Sequence, residues 1–149
     1  MEIVNSYIKS HFEDSIATKA KILNDENLRE ISKKVALEVT RAYKEGKKTL
    51  LAGNGGSAAD AQHIAGEFVS RFYFDRPGIP SIALTTDTRI LTAIGNDYGY
   101  EKLFARQVQA QGVEGDIFIG ISTSGNSANI VEALKVCREK GIISVGLTG

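Results

Sequence analysis

The chain has 149 residues, a length that suits a single domain with a complete hydrophobic core. Lys plus Arg and Asp plus Glu number 18 each, so the net charge of zero argues against a broad nucleic-acid-binding or membrane-binding surface. No apolar run approaches the ~20 residues that span a bilayer. The one cysteine, Cys137, cannot form an internal disulfide, which favours a reducing, cytoplasmic setting.

Two amphipathic helices are predicted before the first strand. Apolar residues recur at helical spacing over residues 2–23 and again over about 26–46, where Gly46 is a typical C-terminal cap. Between them, Asn24 and Asp25 offer a stop and a new N-terminal cap. Two long amphipathic helices have more apolar surface than one face of the sheet can cover. We expect a partner subunit to cover the excess, and packing onto the chain's own sheet is the alternative.

From Lys48 onward, short apolar strands alternate with helices, the pattern of an α/β fold. The strands are continuously apolar, which predicts a parallel sheet covered on both faces. They are predicted at Thr49–Ala52, Ile82–Leu84, Ile117–Ile121 and Ile142–Leu147, with helices near Ser57–Phe72, Thr88–Ile94, Tyr100–Ala110 and Ser127–Lys140. We therefore expect one domain over 1–149, a three-layer α/β/α sandwich with a parallel sheet over 48–149 and two N-terminal helices over 1–47.

Two small polar turns lie where a predicted strand meets a helix. The first contains Gly53, Asn54, Gly55, Gly56 and Ser57; the second contains Ser122, Thr123, Ser124 and Ser127. Glycines allow close approach of the backbone, and the first amides of a helix lack intrahelical partners, so such turns bind anions. The alternatives are a plain helix cap at Ser57, with Asp60 as its reciprocal partner, and a solvated serine loop.

The ligand predicted from these turns is a phosphorylated small molecule. Neither turn contains a Lys, so neither is a Walker A sequence, and the spacing of Gly53, Gly55 and Gly56 differs from the dinucleotide fingerprint. The phosphate would rest on neutral hydroxyls and backbone amides. Ligands of open α/β sheets collect at the carboxyl ends of the strands, where both turns fall.

His63 and Glu67 are four residues apart and share one face of the helix after the first turn. Such a pair can bind a metal or transfer a proton, and otherwise forms an ordinary surface contact. Only two histidines and one cysteine are present, too few for a zinc site of about four ligands. Asn96 and Asp97 are predicted in a turn between helices, either as turn formers or as contacts to a sugar hydroxyl. Cys137 is interpreted as a small buried hydrophobe.

At these residues the chain resembles the sugar isomerase (SIS) domain family, and within it the phosphoheptose isomerases. The resemblance covers essentially the whole chain and depends on four motifs in order, namely Ala52–Ser57 with His63 and Glu67, Ala83–Asp87, Gly95–Gly99 and Gly120–Ser127. It implies isomerisation of sedoheptulose 7-phosphate to glycero-manno-heptose 7-phosphate through an enediol. That reaction opens the supply of activated heptoses for lipopolysaccharide or related surface sugars.

The resemblance also implies roles for individual residues. Glu67 would be the base, and His63 and Glu67 would lie at a zinc ion. Substrate would be bound by Glu67 together with Asn54, Gly55, Gly56, Ser57, Asn96, Asp97, Ser122, Thr123, Ser124 and Ser127. A cytoplasmic homotetramer with sites at subunit interfaces is implied, with a sugar phosphate as its small-molecule partner and no nucleic acid or membrane.

One family feature is missing from these 149 residues. The family continues with a C-terminal helical segment that carries a Gln and a His, which are further metal ligands and an acid/base partner. We therefore expect this chain alone to retain sugar-phosphate binding better than turnover. The alternative function is a non-catalytic SIS module that binds a sugar phosphate or associates with a replication initiator. A nucleotide-binding domain is less favoured because both nucleotide fingerprints are lacking.

Overall fold

The computed structural model describes residues 2–149, so Met1, which the predicted domain includes, lies outside the described residues. The chain divides into two compact units, one ending at Glu38 and the other spanning Val39–Gly149. Helix α2 (Glu26–Lys44) runs through the boundary between them. No helix in the described part of the chain has the length and apolarity that a membrane crossing requires.

The first unit contains helix α1 (Glu2–Asn24) and most of α2. Asp25 separates the two helices, and its carboxylate accepts a hydrogen bond from the Leu28 backbone amide at 2.9 Å, as expected of the predicted cap. The apolar stripe of α1 is exposed to solvent, for example at Phe12 and Ile16, which are 67% and 66% exposed.

The second unit is built on four parallel strands, β1 (Thr49–Gly53), β2 (Ser81–Ala83), β3 (Ile117–Ser122) and β4 (Ile143–Thr148). They lie in the order β2-β1-β3-β4. The chain leaves β1 towards β2 on one side and later returns to β3 on the other. This reversal makes the carboxyl ends of β1 and β3 a topological switch point, where ligands of open α/β sheets bind. Gly53 pairs with Ile121 there.

Helices cover both faces of the sheet. Leu50 and Phe118 point to one face and pack with helices α4 (Thr88–Tyr98), α5 (Leu103–Gln111) and α6 (Ala128–Glu139). Leu51 and Ile119 point to the other face, where α3 (Gly56–Val69) and the end of α2 lie. The alternation of neighbouring residues between faces follows from the two-residue period of a strand. The three-layer α/β/α prediction with two N-terminal helices is confirmed.

Strand β4 differs from its prediction. The continuous apolar pattern predicted a strand covered on both faces, yet only Ile143 and Val145 are half-buried, and Leu147 is 45% exposed. The reason is position, because β4 occupies an edge of the four-stranded sheet. Apolarity alone does not distinguish an edge strand from a central one.

Two helix boundaries also differ. Helix α3 ends at Val69, three residues before the predicted Phe72. Helix α4 continues to Tyr98 and ends at Gly99, which has a positive φ of 88°. Asn96 and Asp97 therefore lie in the last turn of a helix, and their prediction as an inter-helix turn is wrong. The helix accommodates Gly95, and the first residue that breaks it is the glycine with the left-handed backbone.

Candidate functional site

The first turn folds tightly back on itself after β1. A Cβ atom on Gly53 would lie 2.4 Å from the Ser57 carbonyl oxygen, so this position requires glycine. Gly55 has a φ of 55° and precedes the first residue of α3. The predicted cap of Ser57 with Asp60 is wrong, because Gly55 occupies the N-cap and the helix receives no side-chain cap. Ser57 lies inside the first helical turn, and its hydroxyl is half-buried there.

The second turn, called the serine turn below, comprises residues 122–127 between β3 and α6. Ser122 is the last residue of β3 and only 6% exposed, and its hydroxyl oxygen lies 2.9 Å from that of Ser127, the N-cap of α6. Gly125, with a φ of 69°, reverses the chain and donates its amide to the Ser122 carbonyl at 3.0 Å. Thr123 and Ser124 are exposed. Hydroxyls and the first amides of α6 therefore lie together at one strand end, as an anion site requires.

A reciprocal pair of amides connects the two turns. The Asn54 side-chain nitrogen donates to the Asn129 side-chain oxygen at 2.9 Å, and Asn129 donates back to Asn54 at 2.8 Å. The Tyr100 hydroxyl donates to the same Asn54 oxygen at 3.1 Å. Asn129 is only 2% exposed and is the second residue of α6, which begins at Ala128 directly after the serine turn. The structure thus joins the predicted sugar-contacting residue of one turn to the helix that follows the other, predicted phosphate-binding turn.

A cavity of about 460 Å³ opens beside the first turn. Gly53, Asn54 and Gly55 form one wall, and residues of α3, α4, α5, the segment after β2 and the short 3₁₀ turn at Tyr100–Lys102 form the rest. The further lining residues are Ala58, Thr85, Leu91, Thr92, Gly95, Tyr100, Leu103 and Phe104. Its size and mixed lining suit a small polar molecule with a carbon skeleton.

His63 and Glu67 lie further along α3 and line a different cavity, of about 350 Å³, together with Phe68, Phe72 and Arg76. The His63 Nε2 and Glu67 Oε1 atoms are 3.9 Å apart, with the two side chains 77% and 35% exposed. The predicted pairing on one helix face is therefore present. Among the described residues no group of three or more His, Cys, Asp or Glu side chains could hold a metal ion. The pair alone does not complete a zinc site.

Asn96 and Asp97 are not brought to the first cavity. The Asn96 side chain donates to the Asp97 carboxylate at 2.8 Å, and Asp97 lines a separate cavity with Arg106 and Tyr98. Gly95 is the part of this motif that lines the 460 Å³ cavity. The assignment of Asn96 and Asp97 to the sugar stays a prediction.

Three residues of the site were missed from the sequence. Asn129 and Tyr100 were not singled out, because their partner Asn54 lies 75 and 46 residues away. Arg76 was not singled out either. It is half-buried, and its guanidinium donates to the carbonyl oxygens of Glu67 and Phe68, both at 2.8 Å, which fixes the end of α3. The one sequence signal for this role of Arg76 is its position, since it is a basic residue four positions after the predicted end of the helix at Phe72.

A parallel sheet with two small polar turns at its switch point defines a class of α/β domains that hold an anionic ligand on hydroxyls and helix amides. The chain belongs to the SIS domain family, whose model matches residues 11–149, and within it to the phosphoheptose isomerases.

Two relatives illustrate this membership. The chain is 76% identical over 149 residues to phosphoheptose isomerase 2 of Campylobacter jejuni, covering all of this chain and 74% of that protein. It is 70% identical to the phosphoheptose isomerase of Aneurinibacillus thermoaerophilus, covering 98% of this chain and 74% of the relative.

Solved structures agree with the sequence relatives. Phosphoheptose isomerase GmhA from Neisseria gonorrhoeae superimposes with a TM-score of 0.89 at 42% identity, over 98% of this chain and 75% of that one. A phosphoheptose isomerase from Francisella tularensis also gives a TM-score of 0.89, at 39% identity, over 97% and 74% of the two chains.

Proposed function

We propose that the chain carries the sugar-phosphate site of an isomerase that interconverts sedoheptulose 7-phosphate and D-glycero-D-manno-heptose 7-phosphate. The single observation that carries the proposal is the meeting of the two turns at the switch point, since Asn54 and Asn129 bond to each other directly across it. The relatives named phosphoheptose isomerase support the choice of substrate.

The serine turn is the proposed phosphate site. Four hydroxyls, those of Ser122, Thr123, Ser124 and Ser127, stand at the N-terminus of α6, where the helix dipole also favours an anion. Ser57 would contribute a fifth hydroxyl from the neighbouring turn, since it does not cap α3. Neutral donors suit a phosphate that must enter and leave, because no buried ion pair has to form or break with each turnover.

Glu67 is the proposed base. It lies ten residues beyond Ser57 on α3, about 15 Å along the helix axis at the usual rise. Glu67 lines a cavity separate from the one at the turns, so this role requires C1 and C2 of a sugar bound by its phosphate at the turns to extend along α3 towards Glu67. The Glu67 side chain is half-buried, and a carboxylate within hydrogen-bond reach of a carbon acid can serve as its general base.

The proposed reaction needs no external oxidant or reductant. The Glu67 carboxylate removes a proton from C1 of the ketose, and the electron pair moves to form the enediol as the C2 oxygen gains a proton. Return of a proton to C2 and loss of the C1 hydroxyl proton give the aldose. Asn54, whose side-chain amide lines the first cavity, would donate a hydrogen bond to a sugar oxygen during the proton transfer.

We propose a zinc ion near His63 and Glu67, to which this chain contributes only part of the ligand set. His63 and Glu67 are the two donors that this chain would contribute, and the described residues provide no third His, Cys, Asp or Glu beside them. The residues present therefore do not fit a complete site by themselves, and no step above uses a metal.

Assembly and location are proposed on similar grounds. Exposed apolar side chains along α1 support a homo-oligomer, which we propose is a tetramer. The one free cysteine supports a cytoplasmic location. The product would supply activated heptose for lipopolysaccharide or other surface polysaccharide.

The direct test is incubation with sedoheptulose 7-phosphate, with and without zinc, followed by detection of the aldose phosphate. The chain should be compared with one extended at its C-terminus to the length of its relatives. Binding of the ketose phosphate by both chains, and conversion by at least the extended one, is the expected result. Failure of both chains to bind the sugar would contradict the proposed function.

A further inference from the structure

Asn129 is a buried polar side chain on α6. It is 2% exposed and directly precedes Ile130, which belongs to the hydrophobic core against β1 and β3. Both polar atoms of its amide are used by one partner, because Asn54 accepts from its nitrogen at 2.8 Å and donates to its oxygen at 2.9 Å. The pairing crosses 75 residues of sequence.

A reciprocal amide pair fixes both members. Each amide has a donor side and an acceptor side, and both bonds form only when the donor side of each amide faces the acceptor side of the other. A buried amide that lost its partner would stay desolvated without compensation, so neither side chain can rotate freely. The Tyr100 hydroxyl donates a second bond to the Asn54 oxygen, which already accepts one from Asn129. The orientation of Asn54 in the first cavity is therefore set from α6 and from Tyr100.

We propose that Asn129 is a positioning residue that holds the sugar-contacting turn in register with the phosphate-binding serine turn. The backbone of Asn129 lies in the first helical turn after Ser127, and its side chain is hydrogen-bonded to Asn54. Asn129 therefore connects the turn that would bind the phosphate with the residue that would contact the sugar. This role rests on the proposed function of the two turns. A ligand that spans both, a sugar phosphate, depends on Asn129, whereas inorganic phosphate at the serine turn does not.

The informative variant is Asn129→Leu, which keeps the approximate volume and charge and removes both hydrogen bonds. Gln107→Leu is the matched control. Gln107 is also a buried helical amide, 4% exposed, and it donates to the carbonyl oxygens of Leu84 and Leu103 at 2.9 and 3.0 Å. Both variants lose buried amide bonds, but only the first disconnects the turns. Circular dichroism and thermal melting establish that each variant is folded before ligands are compared.

The first measurement titrates the full chain with sedoheptulose 7-phosphate and separately with inorganic phosphate, followed by amide chemical shifts. Asn129→Leu should weaken sugar-phosphate binding about tenfold, as expected for loss of correctly placed hydrogen bonds, and change phosphate binding by less than about twofold. Gln107→Leu should leave both affinities unchanged. Equal losses for both ligands, or for both variants, would show that Asn129 acts through general stability and would overturn the positioning role.

The second measurement separates this role from the proposed substrate. Inorganic phosphate alone should shift the side-chain amide resonance of Asn54 in the unmodified chain, because the signal passes through Asn129, and the shift should vanish in Asn129→Leu. A shift that persists in the variant overturns the proposal. If phosphate gives the expected coupling while sedoheptulose 7-phosphate does not bind, the proposed function fails and the positioning role stands.

Discussion

The hydroxyl oxygens of Ser122 and Ser127 lie 2.9 Å apart, so the last residue of β3 meets the first cap of α6 across the serine turn. One hydroxyl donates to the other. The hydrogen of the accepting hydroxyl stays free to donate to a ligand, and the bond fixes the position of both oxygens. The pair orders the turn before any ligand arrives, and an ordered turn loses less entropy on binding.

The serine pair gives the first prediction. Ser122→Ala or Ser127→Ala should weaken sugar-phosphate binding about five- to thirtyfold, since each removes one donor to the phosphate and releases its partner. Isothermal titration with sedoheptulose 7-phosphate measures the change. Ser70→Ala, at the exposed C-terminal end of α3, is the control and should bind normally. Undiminished affinity in both serine-turn variants would remove the phosphate from this turn.

Two glycines on one stretch of chain should respond in opposite directions to the same substitution. Gly53→Ala should destabilise the protein, because the new Cβ would lie 2.4 Å from the Ser57 carbonyl oxygen. Gly66→Ala should stabilise it by about 0.5–1 kcal/mol, because Gly66 is inside α3 with nothing within 4 Å of a new Cβ and alanine favours a helix. Chemical denaturation provides both values. An unchanged midpoint for Gly53→Ala would show that the turn relaxes without cost.

The sequence predicted local features well and long-range ones poorly. The alternation of apolar runs and amphipathic segments indicated the strands, the helices and the two turns, because each depends on neighbours within a few residues. The Asn54–Asn129 bond depends on the register of β1 against β3, which no local pattern contains. Residue preference alone offered Ser57 as a cap, the alternative to ligand binding, and the structure has Gly55, with its positive φ, as the N-cap two residues earlier.

Glu132 gives a prediction for pH. Hydrogen bonds from Lys102 and Lys135 lower the pKa of the Glu132 carboxyl from 4.5 to about 2. A lowered pKa means that the ion pairs stabilise the folded protein above pH 4.5 and that this contribution is lost as the pH falls towards 2. The melting temperature should therefore be higher for the unmodified chain than for Glu132→Gln at neutral pH. This difference should disappear as the pH approaches about 2.

A control and an ionic-strength series test the cause. Glu139→Gln removes a carboxylate from the same helix, and Glu139 forms no ion pair with any described side chain, so its melting temperature should follow that of the unmodified chain. Added salt should shrink the Glu132→Gln difference, since the pair is partly exposed. A difference that is constant from neutral pH to pH 2 would contradict an electrostatic origin.

Cys137 should be chemically inert while the protein is folded. The side chain is fully buried, and burial raises the pKa of the thiol from 9.0 to about 11. The reactive thiolate is therefore scarce at neutral pH. A thiol reagent should label the native protein at least a hundredfold more slowly than the protein in denaturant, because access requires an opening that costs about 2.7 kcal/mol or more. Equal rates in both states would contradict the buried position.

Glu67 is the residue proposed to move a proton between C1 and C2 of a sugar bound at the two turns. The most direct measurement is NMR of sedoheptulose 7-phosphate in heavy water with the chain and zinc, which detects deuterium entering at carbon even where net conversion is slow. The unmodified chain and the control Asp60→Asn, an exposed carboxylate on the same helix, should both exchange deuterium into the sugar. Glu67→Gln should reduce that exchange about a hundredfold to ten-thousandfold and still bind the sugar. If Glu67→Gln exchanged deuterium at the rate of the unmodified chain, Glu67 would not be the base.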